Sequence, residues 1–177
     1  MNNEYVPQDG FEVLYFAGGC FWGMEKAFRQ LDGVIETVVG YANGMLDFPS
    51  YEEVCNGETG HRETVRVTYD PSVIDINKLL EAFFICIDPS VKNRQGFDIG
   101  TQYQTGVYYS TEKQFATIKK FFEEERKKHK RFEVELAPLS CFWPAEEYHQ
   151  DYLTKHPYGY CHISSAELYK VRVLNDK

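Results

Sequence analysis

Apolar and polar residues alternate along this chain with two different periods, and each change of period predicts a boundary between elements. Alternation at every second residue predicts strands at residues 34–41, 62–69 and 132–136, and a continuous apolar run predicts one at residues 11–16. Residues 104–110 are predicted to form a further strand. Apolar residues three or four positions apart predict helices at residues 21–31, 76–87 and 111–128. A short helix is predicted from Pro144 to Lys155, because proline favours the first helical position.

Asp75 and Thr111 are predicted to cap the second and third helices, since their side-chain oxygens can accept bonds from free backbone N–H groups. The polar, glycine-bearing residues 43–61 and 88–102 are predicted to be loops, and loops of this length are often functional.

The order of these elements predicts the fold class. From residue 11 to residue 110 it is β-α-β-β-α-β, the split βαβ or ferredoxin-like unit. We therefore expect an α+β two-layer sandwich with helices on one face of a mostly antiparallel sheet. The 177 residues suit a single catalytic domain, with an N-terminal arm at residues 1–10 and an irregular C-terminal coil at residues 156–177.

The composition excludes several classes of partner. Nineteen Lys and Arg against 27 Asp and Glu give a net charge of −8, which disfavours nucleic acid and anionic membranes as ligands. The first residues lack the basic and apolar regions of a signal peptide, so we expect a cytoplasmic protein with reduced thiols. The five cysteines and five histidines lack metal-ligand spacing, and we expect neither a metal nor a cofactor.

Cys20 is the candidate nucleophile. It stands between the apolar run of strand one and the first helix, after Gly18 and Gly19, which permit a tight turn. At a helix N-terminus, free N–H groups and the positive end of the helix dipole favour the thiolate. The alternative is a buried cysteine that serves as a small apolar residue.

Glu63 is the candidate acid. Strand parity places it on the same apolar face as Val65 and Val67, where lost hydration should raise its pKa towards neutrality. The alternative is a glutamate at the strand edge, paired with Arg62 or Arg66.

Aromatic residues are abundant, with 13 Tyr, 13 Phe and 2 Trp, and some of them occur in polar loops where a core role is weaker. Such residues can line a binding pocket. They are Tyr51, Phe97, Tyr103, Phe142, Trp143, Tyr158 and Tyr160.

The chain contains three separate motifs in this order: Gly19-Cys20-Phe21-Trp22-Gly23, Gly60-His61-Arg62-Glu63 and Gly100-Thr101-Gln102-Tyr103. Their order and the chain from about residue 11 to residue 164 closely resemble peptide methionine sulfoxide reductase A. The resemblance implies reduction of methionine-S-sulfoxide, free or in proteins, to methionine. It also implies thioredoxin as the reductant, and we expect the enzyme to be a monomer.

The resemblance implies a role for each site residue. Cys20 attacks the sulfoxide sulfur while Glu63 supplies a proton, which leaves a sulfenic acid on Cys20. Tyr51 and Tyr103 donate hydrogen bonds to the sulfoxide oxygen, and Asp98 holds the polar network of the site.

The rings of Phe21 and Trp22 can bind the sulfur-bound methyl group of the substrate.

A second cysteine must resolve the sulfenic acid to a disulfide. We favour Cys161, which lies in a glycine-bearing tail that could move towards Cys20, and the resemblance points the same way. Cys55 and Cys141 are the alternatives, and Cys86 lies on an apolar helix face typical of a core. No cysteine follows Cys161, so we expect a relay of two cysteines rather than the three of many relatives.

Two other functions are considered. A hydrolase or transferase using Cys20 and His149 would form a thioester and need no second cysteine. A non-enzymatic module would bind a peptide methionine in the aromatic pocket and would not need the Cys20 thiol.

Overall fold

Eight strands and six α-helices occur within residues 5–177, the part of the chain that this computed structural model describes. The strands are β1 (Glu12–Ala17), β2 (Val34–Ala42), β3 (Arg62–Tyr69), β4 (Arg94–Gln95), β5 (Asp98–Ile99), β6 (Gly106–Tyr109), β7 (Glu135–Pro138) and β8 (Phe142–Pro144). The helices are α1 (Phe21–Arg29), α2 (Tyr51–Cys55), α3 (Ile76–Cys86), α4 (Glu112–Arg126), α5 (Tyr152–Lys155) and α6 (Ser165–Arg172). Short 3-10 helices occur at Thr101–Tyr103, Glu147–His149 and Val173–Asp176.

Six of the strands form one sheet in the order β7-β6-β1-β3-β2-β8, and β4 and β5 form a separate hairpin. Every neighbouring pair in the large sheet is antiparallel except β6 and β7, which are parallel. The predicted mixture of helices and a mostly antiparallel sheet is therefore confirmed.

The main hydrophobic core lies between the sheet and the helices. It joins Phe16 and Val65 of the sheet to Phe28 of α1, Phe83 of α3 and Ile118 of α4, all of them almost fully buried. The ring of Phe16 packs 4.5 Å from that of Phe28 and 5.5 Å from that of Phe83. Burial of each such side chain contributes about 1.5–3 kcal/mol, which explains why the apolar stripes of the sequence face one another here.

The predicted helix caps are confirmed. The Asp75 side chain accepts a bond from the Lys78 N–H at 2.8 Å, and the Thr111 hydroxyl accepts one from the Gln114 N–H at 3.2 Å. These bonds satisfy backbone donors that would otherwise lack a partner in the first turn, so α3 and α4 begin where the sequence predicts.

A second, smaller core lies on the other face of the sheet, around Tyr15, Tyr108 and Phe142. Tyr5 packs beside it, and the Arg66 guanidinium lies 3.6 Å from the centre of the Tyr5 ring. Residues 1–4 of the predicted arm lie outside the described residues, and residues 5–10 form neither helix nor strand.

Two local predictions were wrong. Residues 43–61 contain helix α2, which begins with a capping box between Ser50 and Glu53. Pro144 does not begin a helix but ends β8, where an edge position tolerates a residue with no N–H to donate.

The prediction of an irregular tail over residues 156–177 was wrong for its second half. Residues 156–164 are irregular, but α6 follows, capped by a box between Ser164 and Glu167. Its Val171 and the following Leu174 are buried against the main core. Within residues 5–177 no helix is long and apolar enough to cross a membrane.

Candidate active site

Cys20 lies at the N-cap of α1, three residues after the end of β1, and is 8% exposed. The turn depends on Gly19, whose φ of 85° is unfavourable for other residues. A Cβ on Gly19 would also lie 2.7 Å from the Cβ of Gln95. The backbone N–H of Trp22 donates to the Cys20 sulfur, so the thiol points over the first turn of the helix.

The prediction of a favoured thiolate was wrong for the resting site. The pKa of Cys20 is raised above its ordinary value, first by burial and then by the nearby Glu63 carboxylate. The bond from the Trp22 N–H lowers the pKa, but burial outweighs it. Cys20 is therefore a protonated thiol at neutral pH.

Glu63 lies in β3 opposite Tyr41 of β2, and it is 2% exposed. Its Oε2 atom accepts a bond from the Phe21 N–H at 3.3 Å, which brings the carboxyl to the same helix N-terminus as Cys20. Burial raises the pKa of Glu63 to about 8, although the Phe21 N–H lowers it. The carboxyl is therefore largely protonated at neutral pH.

The two arginines that the sequence offers as partners for Glu63 pair with other residues. Arg62 binds Glu135 at 2.9 Å, and Arg66 binds Glu36 at 3.4 Å. No ion pair involving Glu63 occurs among residues 5–177 at the distances that define a salt bridge.

Two half-buried tyrosines surround this pair. Tyr51 begins α2, with its hydroxyl hydrogen-bonded to the Cys55 thiol, and Tyr103 ends the 3-10 helix at Thr101–Tyr103. The pKa of each phenol is raised by burial, and the charge of Glu63 adds to the shift in both. Both hydroxyls therefore remain neutral donors at any physiological pH.

Asp98 enters the site from the β4–β5 hairpin. Its Oδ2 atom accepts a bond from the Tyr160 hydroxyl at 3.0 Å, and its charge raises the pKa values of Cys20 and Glu63. Burial and this bond to Asp98 raise the pKa of Tyr160 to about 12. Sequence reasoning placed Tyr160 among the loop aromatics but assigned it no place in the site.

An aromatic wall extends from the same helix turn. The Trp22 indole stacks on Tyr152 with ring centres 3.7 Å apart, and its Nε1–H donates to His149 Nδ1 at 3.0 Å. The His149 ring packs 5.1 Å from Phe21 and 4.5 Å from Tyr51. Burial lowers the pKa of His149, so it is a neutral ring whose Nδ1 accepts the indole bond. Because Nδ1 accepts this bond, the proton of the neutral ring is on Nε2, and neither nitrogen has a free lone pair to deprotonate Cys20. This weakens the hypothesis of a Cys20–His149 hydrolase.

Cys161 packs over the first turn of α1. A Cβ added to Gly23 would lie 3.1 Å from the Cys161 sulfur, so a larger residue there would crowd this thiol. The charge of Cys161 would raise the pKa of Cys20, as expected for neighbouring sulfurs. All five cysteines are free thiols in this structure.

The other candidate cysteines are placed differently. Cys55 is half-buried beside Tyr51, and burial together with the charge of Glu63 raises its pKa. Cys141 lies immediately before β8 and beside the end of β2, where its thiol is 3.5 Å from the carbonyl oxygen of Gly44. Cys86 is buried in the main core, as predicted. The structure thus brings Cys20, Glu63, Tyr51, Tyr103, Asp98 and Cys161 around one helix N-terminus.

Within residues 5–177, no group of three or more His, Cys, Asp or Glu side chains is placed to hold a metal ion. A mixed α/β domain with two neighbouring thiols and a neutral buried carboxyl belongs to the class of cysteine-dependent oxidoreductases. The family model for peptide methionine sulfoxide reductase matches residues 12–176. The chain therefore belongs to the peptide methionine sulfoxide reductase family, and its reaction is the reduction of methionine sulfoxide.

Several known proteins are similar to the chain over most of its length. Peptide methionine sulfoxide reductase MsrA of Clostridium botulinum strain Hall is 51% identical over 151 residues, which are 85% of this chain and 96% of that protein. The crystal structure of reduced Mxr1 from Saccharomyces cerevisiae has a TM-score of 0.85 and 37% identity, covering 91% of this chain and 94% of that one. Methionine sulfoxide reductase A of Corynebacterium diphtheriae has a TM-score of 0.82 and 36% identity, covering 87% and 79%.

A further structure of the yeast protein Mxr1 holds it in complex with Trx2. Its TM-score is 0.61 at 24% identity, over 85% of this chain and 90% of that one, so this comparison supports the fold alone.

Proposed function

We propose that this enzyme reduces methionine-S-sulfoxide, free or in proteins, through a sulfenic acid on Cys20 and then a Cys20–Cys161 disulfide that thioredoxin reduces. The observation that carries the proposal is the burial of the Cys20 thiol and the Glu63 carboxyl at one helix N-terminus, with the Cys161 sulfur over the same helix turn.

In the first step the Cys20 sulfur attacks the sulfoxide sulfur, and Glu63 gives its proton to the sulfoxide oxygen. The attack forms a sulfur–sulfur bond. That bond and the sulfur–oxygen bond of the substrate then break as the oxygen passes to the Cys20 sulfur, so methionine leaves as a thioether and Cys20 holds the oxygen as a sulfenic acid. Glu63 recovers a proton from the Cys20 thiol, so one thiol and one sulfoxide become one sulfenic acid and one thioether. A pKa near 8 suits Glu63 to this task, because a general acid works best when its pKa lies near the working pH.

The phenols and the aromatic wall position the substrate. Tyr51 and Tyr103 donate to the sulfoxide oxygen and stabilise its developing charge without adding a charge of their own. Asp98 holds Tyr160 beside the site. The partly buried ring of Trp22 and the ring of Phe21 form the apolar surface for the methyl group.

In the second step the Cys161 thiol attacks the sulfur of the sulfenic acid, a disulfide forms and water leaves. Thioredoxin then supplies two thiols, takes up the disulfide itself and returns both cysteines to the reduced state. Reduced Mxr1 from yeast is 37% identical to this chain. The same yeast protein has been crystallised in complex with Trx2, which supports thioredoxin as the partner here.

We also propose the ferredoxin-like description for the central unit, since β6, β1, β3 and β2 are antiparallel neighbours and α1 and α3 follow β1 and β3. We further propose that the chain is a single catalytic domain and that the enzyme is a monomer located in the cytoplasm. In the reaction, residues 156–164 carry Cys161 towards Cys20.

The test is to react the reduced enzyme with methionine-S-sulfoxide and map the new disulfide by mass spectrometry. We expect a Cys20–Cys161 bond, whereas a bond from Cys20 to Cys55 or Cys141 would overturn the choice of resolving cysteine. With thioredoxin as the reductant, Cys161→Ser should release about one methionine per enzyme and then stop, because no disulfide forms for thioredoxin to reduce.

The matched control, Cys141→Ser, should keep turning over. Full multiple turnover by Cys161→Ser would instead show that Cys161 is not needed to resolve the sulfenic acid, and it would overturn the proposed relay.

A further inference from the structure

The β4–β5 hairpin carries two apolar side chains into solvent. Phe97, in the two-residue turn, is 94% exposed, and Ile99 of β5 is 71% exposed. Neither side chain belongs to either hydrophobic core, so neither contributes to the stability of the fold through burial. Phe97 is also one of the loop aromatics that the sequence singles out and that the reaction described above does not use.

The hairpin is held firmly against the residue that precedes Cys20. Gln95 is 2% exposed, and its side-chain amide makes two bonds to the backbone of Asp88, at 2.9 and 2.8 Å. The Gln95 Cβ packs on Gly19, as the close approach at that glycine shows. Gly96 takes the positive φ, 59°, that a tight two-residue turn needs at its first central position. The hairpin tip is therefore preorganised beside the site.

Asp98 connects the exposed pair to the reacting groups. It lies between Phe97 and Ile99 in the chain, accepts the Tyr160 hydroxyl at 3.0 Å and acts electrostatically on Cys20. A polypeptide advances about 3.3–3.6 Å per residue when extended. Gln95 contacts Gly19, the neighbour of Cys20, and Phe97 is two residues further along the hairpin. Residues adjacent to an oxidised methionine at Cys20 span a similar length of chain, which brings them towards the hairpin tip.

We propose that Phe97 and Ile99 are specificity-determining residues that bind apolar side chains adjacent to the oxidised methionine in a protein substrate. The inference rests on the proposed function and names its substrate class: sulfoxides in apolar sequence, as occur where a normally buried segment has become exposed. Methionine is mostly a buried residue with apolar neighbours, so such segments are where an exposed phenylalanine gains binding energy.

The experiment compares three substrates with the full-length enzyme: a peptide with methionine-S-sulfoxide between leucines, the same peptide with glycines, and free methionine-S-sulfoxide. The variants are Phe97→Ser and Ile99→Ser, with Val6→Ser as the matched control at an exposed apolar residue elsewhere. Dithiothreitol is the reductant, and kcat/KM is the readout.

We expect Phe97→Ser to lower kcat/KM about fivefold for the leucine peptide, the effect of leaving roughly half of a phenylalanine in water. The glycine peptide and the free amino acid should change less than about twofold on the same argument. Ile99→Ser should act in the same direction, and Val6→Ser should change nothing. Equal losses on all three substrates, or no loss on any, would overturn the inference.

A second measurement separates substrate binding from thioredoxin binding. If the two hairpin variants release methionine from the leucine peptide normally in a single turnover but slow down only with thioredoxin, the tip binds thioredoxin and the inference fails. Unchanged activity on free methionine-S-sulfoxide shows that the variants fold and that the proposed reaction still occurs. A failure of the peptide-specificity inference is then distinct from a failure of the proposed function.

Discussion

Replacing Glu63 with glutamine keeps the shape of the side chain and removes its ionisable proton. In the folded enzyme burial raises the pKa of this carboxyl from 4.5 to about 8. The unfolded chain therefore loses the proton near pH 4.5, whereas the folded chain holds it until about pH 8. Between these values the unfolded state is increasingly favoured, so Glu63 lowers the stability of the enzyme as pH rises, and Glu63→Gln removes that dependence.

The size of the effect follows from the two pKa values. Their difference is 8 − 4.5 = 3.5, and each step of one in pKa corresponds to about 1.4 kcal/mol. The cost of Glu63 to folding is then about 1 kcal/mol at pH 5, about 3 kcal/mol at pH 7 and about 5 kcal/mol above pH 8. For a chain of this length each kcal/mol moves Tm by roughly 2–4 °C.

Thermal unfolding at pH 5, 7 and 9 measures this dependence. The Tm of Glu63→Gln should rise relative to that of the parent by on the order of 10 °C between pH 5 and pH 9. Glu52→Gln, at an exposed position of α2, controls for the substitution itself. A difference in Tm between Glu63→Gln and the parent that stays constant with pH would refute the assignment of a neutral buried carboxyl.

The same variant tests the role of the proton in the reaction. A positioned general acid contributes about 10²–10⁴-fold, so methionine release by Glu63→Gln in a single turnover should slow by that factor. The parent enzyme should lose its single-turnover rate as pH rises through about 8, because Glu63 then gives up its proton. A parent rate that stays level up to pH 10 would mean that another group supplies the proton.

Two further predictions follow from the geometry. Iodoacetamide should modify Cys20 more slowly than a free cysteine at pH 8, because each rise of one in pKa lowers the thiolate fraction about tenfold. Glu63→Gln should speed the modification at pH 9, because it removes the charge that raises the pKa of Cys20. Peptide mass spectrometry measures both rates, and a reactive Cys20 at pH 7 would contradict the raised pKa. Gly40→Ala should destabilise the fold by about 1–3 kcal/mol in chemical denaturation, because the new Cβ would meet the Trp143 carbonyl oxygen of β8; an unchanged midpoint would show that β8 moves aside freely.

The regular part of the fold was readable from the sequence because side-chain periodicity and capping are local. Residues 62–69 alternate clearly, and β3 has those bounds. Pro144 was misassigned because the same proline suits a helix start and a sheet edge, and only the neighbouring strand distinguishes them. Helix α6 was missed because it is short and only Leu168 and Val171 meet the core, so its stability comes from packing and a capping box rather than from a long regular stripe.

The candidate site was readable in its parts but not in its contacts. Parity alone put Glu63 on the buried face, because every second residue of a strand shares a face. The protonation state of the Cys20 thiol could not be predicted, because the sequence indicates a helix N-terminus but not how deeply the thiol is buried. The approach of Cys161 to Gly23 and the bond from Tyr160 to Asp98 join residues far apart in sequence, and no local pattern encodes them.

The shared burial of Cys20 and Glu63 has a consequence for the proposed reaction. Burial raises the pKa of each group, and the charge of Glu63 raises that of Cys20 further, so both are protonated in the resting site. Reduction of the sulfoxide to a thioether with formation of a sulfenic acid consumes no proton overall, because the thiol loses one and the oxygen gains one. Glu63 can therefore pass its proton to the oxygen and take the thiol proton in its place. Two exposed groups would exchange protons with water at each stage, whereas this buried pair completes the transfer within the site and leaves Glu63 protonated for the next substrate.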